Sequence, residues 1–294
     1  MPGERHAGVG HGLNTVQLWL RLLAGLVLSS AIGLLAYRRG SLSSSGVAGA
    51  VVVGSGVFGL GGWVWGGLLI LFFASSSLLS RYRARDKSGV AQQYAKGGRR
   101  DVWQVLANGG VPTVLAAAHY LWGLPVFWGA VAGALAAVTA DTWATEIGVL
   151  ANKRPRLVTT WTSVPPGTSG GVSFLGTMAT LAGSTGIGLC GAAFLAVSRL
   201  FEAGEATGPS PWSLMLPAVV GGMAGAFGDS LMGATIQAVY YSRDRHKETE
   251  KQREPDGTLN RHLRGWRWVT NDVVNLCAAL SGALVGGLLF ALLG

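Results

Sequence analysis

The sequence predicts an all-α protein: a polytopic transmembrane helical bundle of about eight spans, with both termini on the non-cytosolic side. Three observations carry that prediction. Only 13% of the 294 residues are charged, 49% are hydrophobic, and the mean hydropathy is +0.39. Soluble domains carry about 25% charged residues, so this chain has half the usual means of covering a water-facing surface. Apolar stretches recur along the chain at roughly the 20 residues that a ~30 Å hydrocarbon core demands. The basic residues fall almost entirely in alternate connections between those stretches.

The same composition excludes other classes. High hydrophobicity with low charge rules out a disordered chain. The two cysteines, Cys190 and Cys277, both sit in apolar stretches, which rules out a disulfide scaffold. A pI near 10.1 and a net charge of +9 would suit a nucleic-acid binder. Here the charge lies between apolar spans, where it reports topology, so no nucleic acid is expected.

Taken in order, the first stretch, about 16–36, follows a weakly charged head and is too long for a cleaved hydrophobic region; it reads as a signal anchor. The second, 42–60, is short and glycine-rich. It meets the third, 62–80, at Gly59-Leu60-Gly61-Gly62, which predicts a tight hairpin turn or a re-entrant pair. The remaining spans are 102–122, 124–150, 172–199, 212–241 and 269–293. All are expected to be helices, because an open sheet leaves backbone groups unpaired in lipid. The chain reads as a single integral membrane domain over 1–294, without a strong tandem repeat. The longest connection, Ser242–Trp268, is a mixed-charge cytosolic loop whose turn signal Glu254-Pro255-Asp256-Gly257 predicts a mobile centre.

Charge tests this partition independently. Of the 23 basic residues, 20 lie in four alternate connections. These are Arg38 and Arg39; Arg81 through Arg100; Lys153, Arg154 and Arg156; and Arg243 through Arg267. The positive-inside rule places those four loops in the cytosol. Their charge is explained by topology and anionic headgroups, so no individual arginine is given a catalytic role, although the summed field attracts a nucleotide or an anionic lipid.

Acidic residues inside spans are costly in hydrocarbon and normally face a polar cavity. Asp141 and Glu146 fall in the last turns of span five, and Asp229 lies inside span seven. Asp272 opens span eight beside Asn271 and Asn275, and Asn108 lies near the start of span four. All belong to the cytosolic leaflet. Asp229 is expected deeper, ~18 Å of helix from the loop, unless a break near Gly228 shortens the span. Asp141, Thr145 and Gly148 share a face, while Glu146 sits ~140° around the helix. Glu146 therefore joins the site only if the helix ends near Gly148; otherwise it pairs with Lys153 or Arg154. Glycine pairs such as Gly129/Gly133 and Gly221/Gly225 read as packing devices, and His119 as structural. The loop Val164–Ser173 offers glycines and hydroxyls ahead of a helix, where backbone N–H groups bind phosphate. It lacks the Gly-Lys-Ser/Thr of a Walker loop and also fits an ordinary Pro-Gly turn.

Six stretches in order resemble one family. They are Phe73–Ser80 (FASSSLLS), Tyr94–Asn108 (YAKGGRRDVWQVLAN), Ala140–Gly148 (ADTWATEIG), Val164–Val172 (VPPGTSGGV), Gly228–Gln237 (GDSLMGATIQ) and Asn271–Asn275 (NDVVN). From about residue 40 to the C-terminus the chain is similar to the transmembrane protein 19 family, the DUF92 group, which includes the plant and cyanobacterial phytyl-phosphate kinases. Thr159-Thr160-Trp161 and Gly170-Gly171-Val172 look closer to its animal-type branch. The residues in matching motifs are Asp141, Glu146, Thr168, Gly170, Asp229, Gln237 and Asn275.

The resemblance implies a kinase that transfers a phosphoryl group from a nucleoside triphosphate, CTP or ATP, to an isoprenoid monophosphate lipid of the phytyl or geranylgeranyl type. In that reading Asp141, Asp229 and Glu146 are catalytic, and Asp141, Asp229 and Asp272 hold Mg²⁺, which prefers carboxylate and water oxygens. Thr168, Ser169, Gly170 and Gly171 cradle phosphate, and Asn108, Gln237, Asn271 and Asn275 orient it. The alternative is a transporter or scramblase for an anionic lipid or small metabolite, using the same acids as a cation or proton site. Membrane lipids are partners in either case, in an endomembrane or plastid if the source is eukaryotic.

Overall fold

The computed structural model of the protein describes residues 15–91, 99–201, 208–244, 246–254 and 256–293. Arg5, Lys96, Arg245, Pro255 and the start of the Tyr94–Asn108 stretch lie outside them. The chain runs α1 (Thr15–Arg38), α2 (Ser44–Arg81), α3 (Ala84–Ala91), α4 (Val102–Trp122), α5 (Val126–Gly148), α6 (Phe174–Phe201), α7 (Met215–Thr235) and α8 (Asn271–Leu293). A single 3₁₀ turn, Pro211–Leu214, leads into α7.

Helix α2 contains both the second and the third expected span. Gly62 breaks it at φ 83°, ψ −178°, a backbone conformation that glycine adopts without a Cβ penalty. The chain doubles back there. Phe58 Cβ lies 3.3 Å from where a Cβ on Gly66 would sit, whereas eight residues of straight helix span ~12 Å. The two ends of α2 consequently meet: Arg81 Nη2 donates to Ser41 Oγ at 2.8 Å, and Leu42 bridges to Arg100. The expected hairpin is therefore present, and it brings two basic connections to one end of the bundle.

Among the described residues, six helices are long and apolar enough to cross a membrane, α2 being one of them. Because α2 reverses, it supplies two segments. Helix α4 has the length, 21 residues, but Gln104, Asn108 and His119 lower its hydropathy. It packs on α2 and α5, so eight antiparallel segments make up the bundle among the described residues. Its start is fixed by a capping box, in which Asp101 Oδ1 accepts from Gln104 N at 3.0 Å and Gln104 Oε1 accepts from Asp101 N at 3.2 Å.

Helix α5 is the centre. Every residue from Gly129 to Ala140 is buried, and the helix meets α6, α7 and α8. Small residues make this possible, because lipid supplies no hydrophobic force between helices and close van der Waals packing must substitute. A Cβ on Gly133 would overlap the Gly282 carbonyl oxygen, and one on Gly221 would come within 3.0 Å of Gly133 Cα. One turn further along, Gly225 admits the Ala137 methyl group.

Two expectations need correction. Span seven ends at Thr235 rather than at 241, without a break at Gly228. Residues 239–242 (VYYS) form strand β3 instead, because apolar β-branched and aromatic side chains suit a pleated, half-buried surface. Asp229 is thus only six residues, ~9 Å, from the helix end. The connection Ser242–Trp268, expected as a loop, also contains strands on either side of its turn signal, whose Pro255 lies outside the described residues. Its strands β4 (Lys247–Thr249) and β5 (Arg261–Arg264) pair antiparallel with β3 (Val239–Ser242) in the order β4-β3-β5. The earlier strands β1 (Arg156–Leu157) and β2 (Gly171–Val172) form a second, two-stranded ribbon. Both small sheets cap the basic end of an otherwise helical protein.

The glycine contact predicts a sharp contrast in stability. Gly133→Leu should exceed the ~1–3 kcal/mol of ordinary core overpacking, because it meets backbone that cannot yield. Gly110→Ala, with open space around it, should be neutral or gain up to ~1 kcal/mol of helix propensity. Thermal unfolding of the two variants in detergent checks both.

Candidate functional site

At the basic end, three of the four basic connections and the ends of α2, α4, α5, α6, α7 and α8 line a polar cavity of about 910 Å³. Drug-sized and cofactor-sized sites occupy ~300–1,000 Å³. Every site residue singled out from the sequence lines it: Asn108, Asp141, Glu146, Thr168, Ser169, Gly170, Gly171, Asp229, Gln237, Asn271, Asp272 and Asn275.

Its inner end is set by the α5–α7 contact. Both helices run toward the basic end, and Asp141 and Asp229 each follow the Ala137/Gly225 contact by four residues, one turn. Their carboxyl groups lie close enough to act on one another. Asp229 Oδ2 is buried with no hydrogen-bond partner. Two carboxylates held this close require a shared proton or a cation.

The third acid acting on this pair is Glu250, whose charge bears on both aspartates. Sequence reading missed it, because it sits in a mixed-charge loop and reaches the site only through the β3–β4 sheet. Its Oε1 accepts from Gln237 Nε2 at 2.9 Å and from Ser169 Oγ at 3.1 Å. Gln237, expected to orient phosphate, is therefore committed to holding Glu250. Asp141, Asp229 and Asp272 do not gather into one ligand set: among the described residues no three acids, histidines or cysteines form a metal-type cluster. Asp272, Asn271 and Asn275 line the cavity wall from the first turn of α8.

Glu146 belongs to a separate arrangement, as its position around α5 requires. Its Oε2 pairs with Lys87 Nζ at 2.8 Å and its Oε1 accepts from Ser80 Oγ at 2.5 Å. The partner is thus Lys87 of α3, not Lys153 or Arg154. Lys87 Nζ also donates to the Leu79 carbonyl at 2.6 Å, and its side chain is 7% exposed. Arg100 lies near the same carboxylate; burial pulls its guanidinium below its usual value, and Glu146 opposes that shift. Sequence reading left both cations to topology, yet both enter the cavity.

The Val164–Ser173 loop is more self-contained than a phosphate cradle would be. Thr168 N–H donates to the Pro165 carbonyl at 3.2 Å and Gly171 N–H to the Thr168 carbonyl at 2.9 Å. The α6 N-terminus is capped by Ser173, whose Oγ accepts from Gly176 N at 3.1 Å. Of the four residues Thr168–Gly171, Ser169 and Gly170 have N–H groups without a backbone bond, so the expected cradle shrinks to these two. Gly170 has φ +82°, and a Cβ there would overlap the backbone of Ala234 on α7. Arg264 ties the same joint, donating to the Gly233 carbonyl at 2.9 Å and the Ser169 carbonyl at 3.3 Å. Asn108 is bonded within its own helix, Nδ2 to the Gln104 carbonyl at 2.7 Å.

The family described as integral membrane protein DUF92 matches residues 27–283. The chain belongs to this family. Among its relatives is Protein PGR of Arabidopsis thaliana, 34% identical over 277 residues, covering 88% of this chain and 93% of that protein. The uncharacterized membrane protein MJ0933 of Methanocaldococcus jannaschii is 28% identical over 284 residues, 96% of this chain and 99% of its own. Protein VTE6, chloroplastic, of Arabidopsis thaliana is 25% identical over 252 residues, 83% of this chain and 64% of its own. No solved structure matches. In this DUF92 protein the matched region includes the aspartate pair, Glu250 and the whole cavity-bearing end.

The Lys87–Glu146 pair, with its lysine buried and its glutamate half-buried, yields a stability prediction. Glu146→Gln leaves the Lys87 cation buried without its counter-charge and should cost ~3–5 kcal/mol. A Lys87→Met/Glu146→Leu double variant should cost much less. Thermal melts of the single and double variants give the coupling directly.

Proposed function

We propose that this protein is an integral membrane prenyl-phosphate kinase, transferring the terminal phosphoryl group of a nucleoside triphosphate, CTP or ATP, to an isoprenoid monophosphate. The observation that carries the reading is the half-buried Asp141–Asp229 pair, with Asp229 Oδ2 buried and unpartnered, at the inner end of a membrane-face cavity whose walls carry Lys87, Arg100, Lys153, Lys251 and Arg267. Phosphoryl transfer asks little covalent chemistry of a protein; it asks for positioning and for neutralisation of the phosphate oxygens. An oxygen of the lipid phosphate attacks the terminal phosphorus, the bond to the bridging oxygen breaks, and the nucleoside diphosphate leaves. The acceptor is already anionic at neutral pH, so no strong general base is needed.

Asp141 and Asp229 fit a divalent cation of the magnesium type. They are adjacent and half-buried in the cavity, Asp229 Oδ2 has no hydrogen-bond partner, and Mg²⁺ is typically bound by one or two carboxylates together with substrate phosphates. Bound there, the ion would supply charge neutralisation at the transferring oxygens. Glu250 positions the site: it joins Gln237 on the α7 exit to Ser169 on the glycine loop, holding both against the aspartates. The Ser169 and Gly170 N–H groups and the cavity cations are the donors available to phosphate. Asn271 and Asn275 offer amides on the facing wall. A transport reading needs a polar route across the bundle, and the layer beyond Asp141 is the close-packed Gly/Ala core of α5, α7 and α8, which argues against it.

Purified protein with labelled CTP or ATP, Mg²⁺ and geranylgeranyl or phytyl monophosphate should yield the lipid diphosphate. Asp141→Asn and Asp229→Asn should each lower turnover on the order of 10²–10³-fold while melting near wild type, and chelation by EDTA should abolish turnover reversibly. Absence of product across nucleotides and chain lengths, from folded protein, overturns the proposal.

A further inference from the structure

The polar cavity carries a second arrangement of charge, apart from the aspartate pair. Glu146 lies five residues beyond Asp141 on α5, ~7.5 Å further along the axis and ~140° around it. Its carboxylate pairs with Lys87 Nζ at 2.8 Å and accepts from Ser80 Oγ at 2.5 Å, and its charge bears on Arg100. Two cations therefore meet one carboxylate, which leaves positive charge in excess. Ser80, Lys87, Arg100 and Glu146 line the same cavity as Asp141 and Asp229.

Both cations are fixed in place. Lys87 Nζ also donates to the Leu79 carbonyl at 2.6 Å. Arg100 is anchored through its backbone: its N–H donates to the Ser41 carbonyl and its carbonyl accepts from Ser43 N–H, each at 3.0 Å. The guanidinium lies over the Phe73 ring at 5.6 Å and donates to Ser77 Oγ at 3.2 Å. An ammonium has three N–H donors and a guanidinium five. These contacts use two of the first and one of the second, so most of the donor capacity is uncommitted among the described residues. A guanidinium suits phosphate through its fork geometry, and a lysine paired with a glutamate still serves phosphate in protein kinases.

We infer that Lys87 and Arg100 form the phosphate site of the acceptor: the isoprenoid monophosphate places its head group on them, while the terminal phosphates of the nucleotide lie at the aspartate pair. The inference rests on the kinase reading for the identity of both substrates. Charge separates the two sites. A divalent cation on Asp141 and Asp229 neutralises the nucleotide phosphates, whereas the acceptor brings no metal and needs fixed cations of its own. Position agrees. Ser80 is near the end of α2, Lys87 is on α3 and Arg100 immediately precedes the α4 cap, so this wall belongs to helix ends, where a lipid head group arrives. Tyr240 and Lys251 line the cavity from the small sheet and its edge, the side open to a nucleotide from water. Glu146 is then a positioning residue, which keeps the Lys87 ammonium at the wall without touching substrate.

The test uses full-length protein in detergent and measures the two ligands separately. Tritiated geranylgeranyl monophosphate is titrated in one arm, and Mn²⁺ with a non-hydrolysable nucleoside triphosphate in the other. Tritiated geranylgeraniol is the phosphate-free control, and wild type should bind it more weakly than the monophosphate. Arg100→Gln and the Lys87→Met/Glu146→Leu double variant should each weaken monophosphate binding by about tenfold or more, and Arg100→Lys should weaken it less. Binding of geranylgeraniol and of the Mn²⁺–nucleotide complex should stay at the wild-type level in all three. Asp141→Asn should show the opposite pattern, losing the Mn²⁺–nucleotide complex and keeping the monophosphate. If one variant fails to fold, the other decides. Equal binding of the two lipids by wild type, unchanged monophosphate affinity in a folded variant, a loss confined to the nucleotide, or a loss shared by geranylgeraniol overturns the inference. No readout needs turnover. The expected pattern without lipid diphosphate formation sinks the kinase reading alone, and turnover with wild-type monophosphate affinity in the variants sinks this inference alone.

Discussion

The close approach of α5, α7 and α8 through Gly133, Gly221, Gly282 and Gly286 is the constraint on which the rest depends. Backbone meets backbone at that level, and nothing larger than hydrogen fits between. Because α5 and α7 run in the same direction and touch again at Ala137 and Gly225, the residues one turn beyond must face each other. Those residues are Asp141 and Asp229. The acidic pair is thus a consequence of helix packing: the small residues fix the spacing and the acids exploit it. The same sequence interval, eight residues from Gly133 to Asp141 and from Gly221 to Asp229, expresses that geometry in both helices.

Placing two carboxylates together in a bundle core is unfavourable by itself, and the surroundings do not relieve it. The nearest further influence is a third acid, Glu250, rather than a lysine or arginine. The cations lie elsewhere: Lys87 is tied to Glu146, Arg100 lies over Phe73 and donates to Ser77, and the rest line the loops. This segregation, with negative charge deep and positive charge around it, matches a polyanion held with its own cation, phosphate outward and metal inward. Were the acids structural, a basic partner would be expected beside them, as at Glu146.

Much of this was legible in the sequence. The alternation of basic loops agrees with the antiparallel order of the segments, the Gly59–Gly62 run marked the hairpin, and the intramembrane acids pointed to the cavity. Three things were not legible. Val239–Ser242 continues an apolar run, and a short apolar run reads equally as helix or strand, so span seven was drawn too long and Asp229 too deep. Glu250 carries no periodicity and lies 109 residues beyond Asp141 in sequence; only the pairing of β3 with β4 brings it in. Gln237 and Glu146 were correctly placed at the cavity, but their partners, Glu250 and Lys87, decide that each is an anchor, and partners across long sequence separations are not written in local pattern.

The central claim is that Asp141 and Asp229 together hold a divalent cation with the phosphates of a nucleotide. Electron paramagnetic resonance of Mn²⁺, titrated into purified protein with a non-hydrolysable nucleotide triphosphate, tests it most directly. The account predicts a bound-Mn²⁺ signal that requires nucleotide, shows coupling to phosphorus, and is lost in both Asp141→Asn and Asp229→Asn. An undiminished signal in the two folded variants would contradict it.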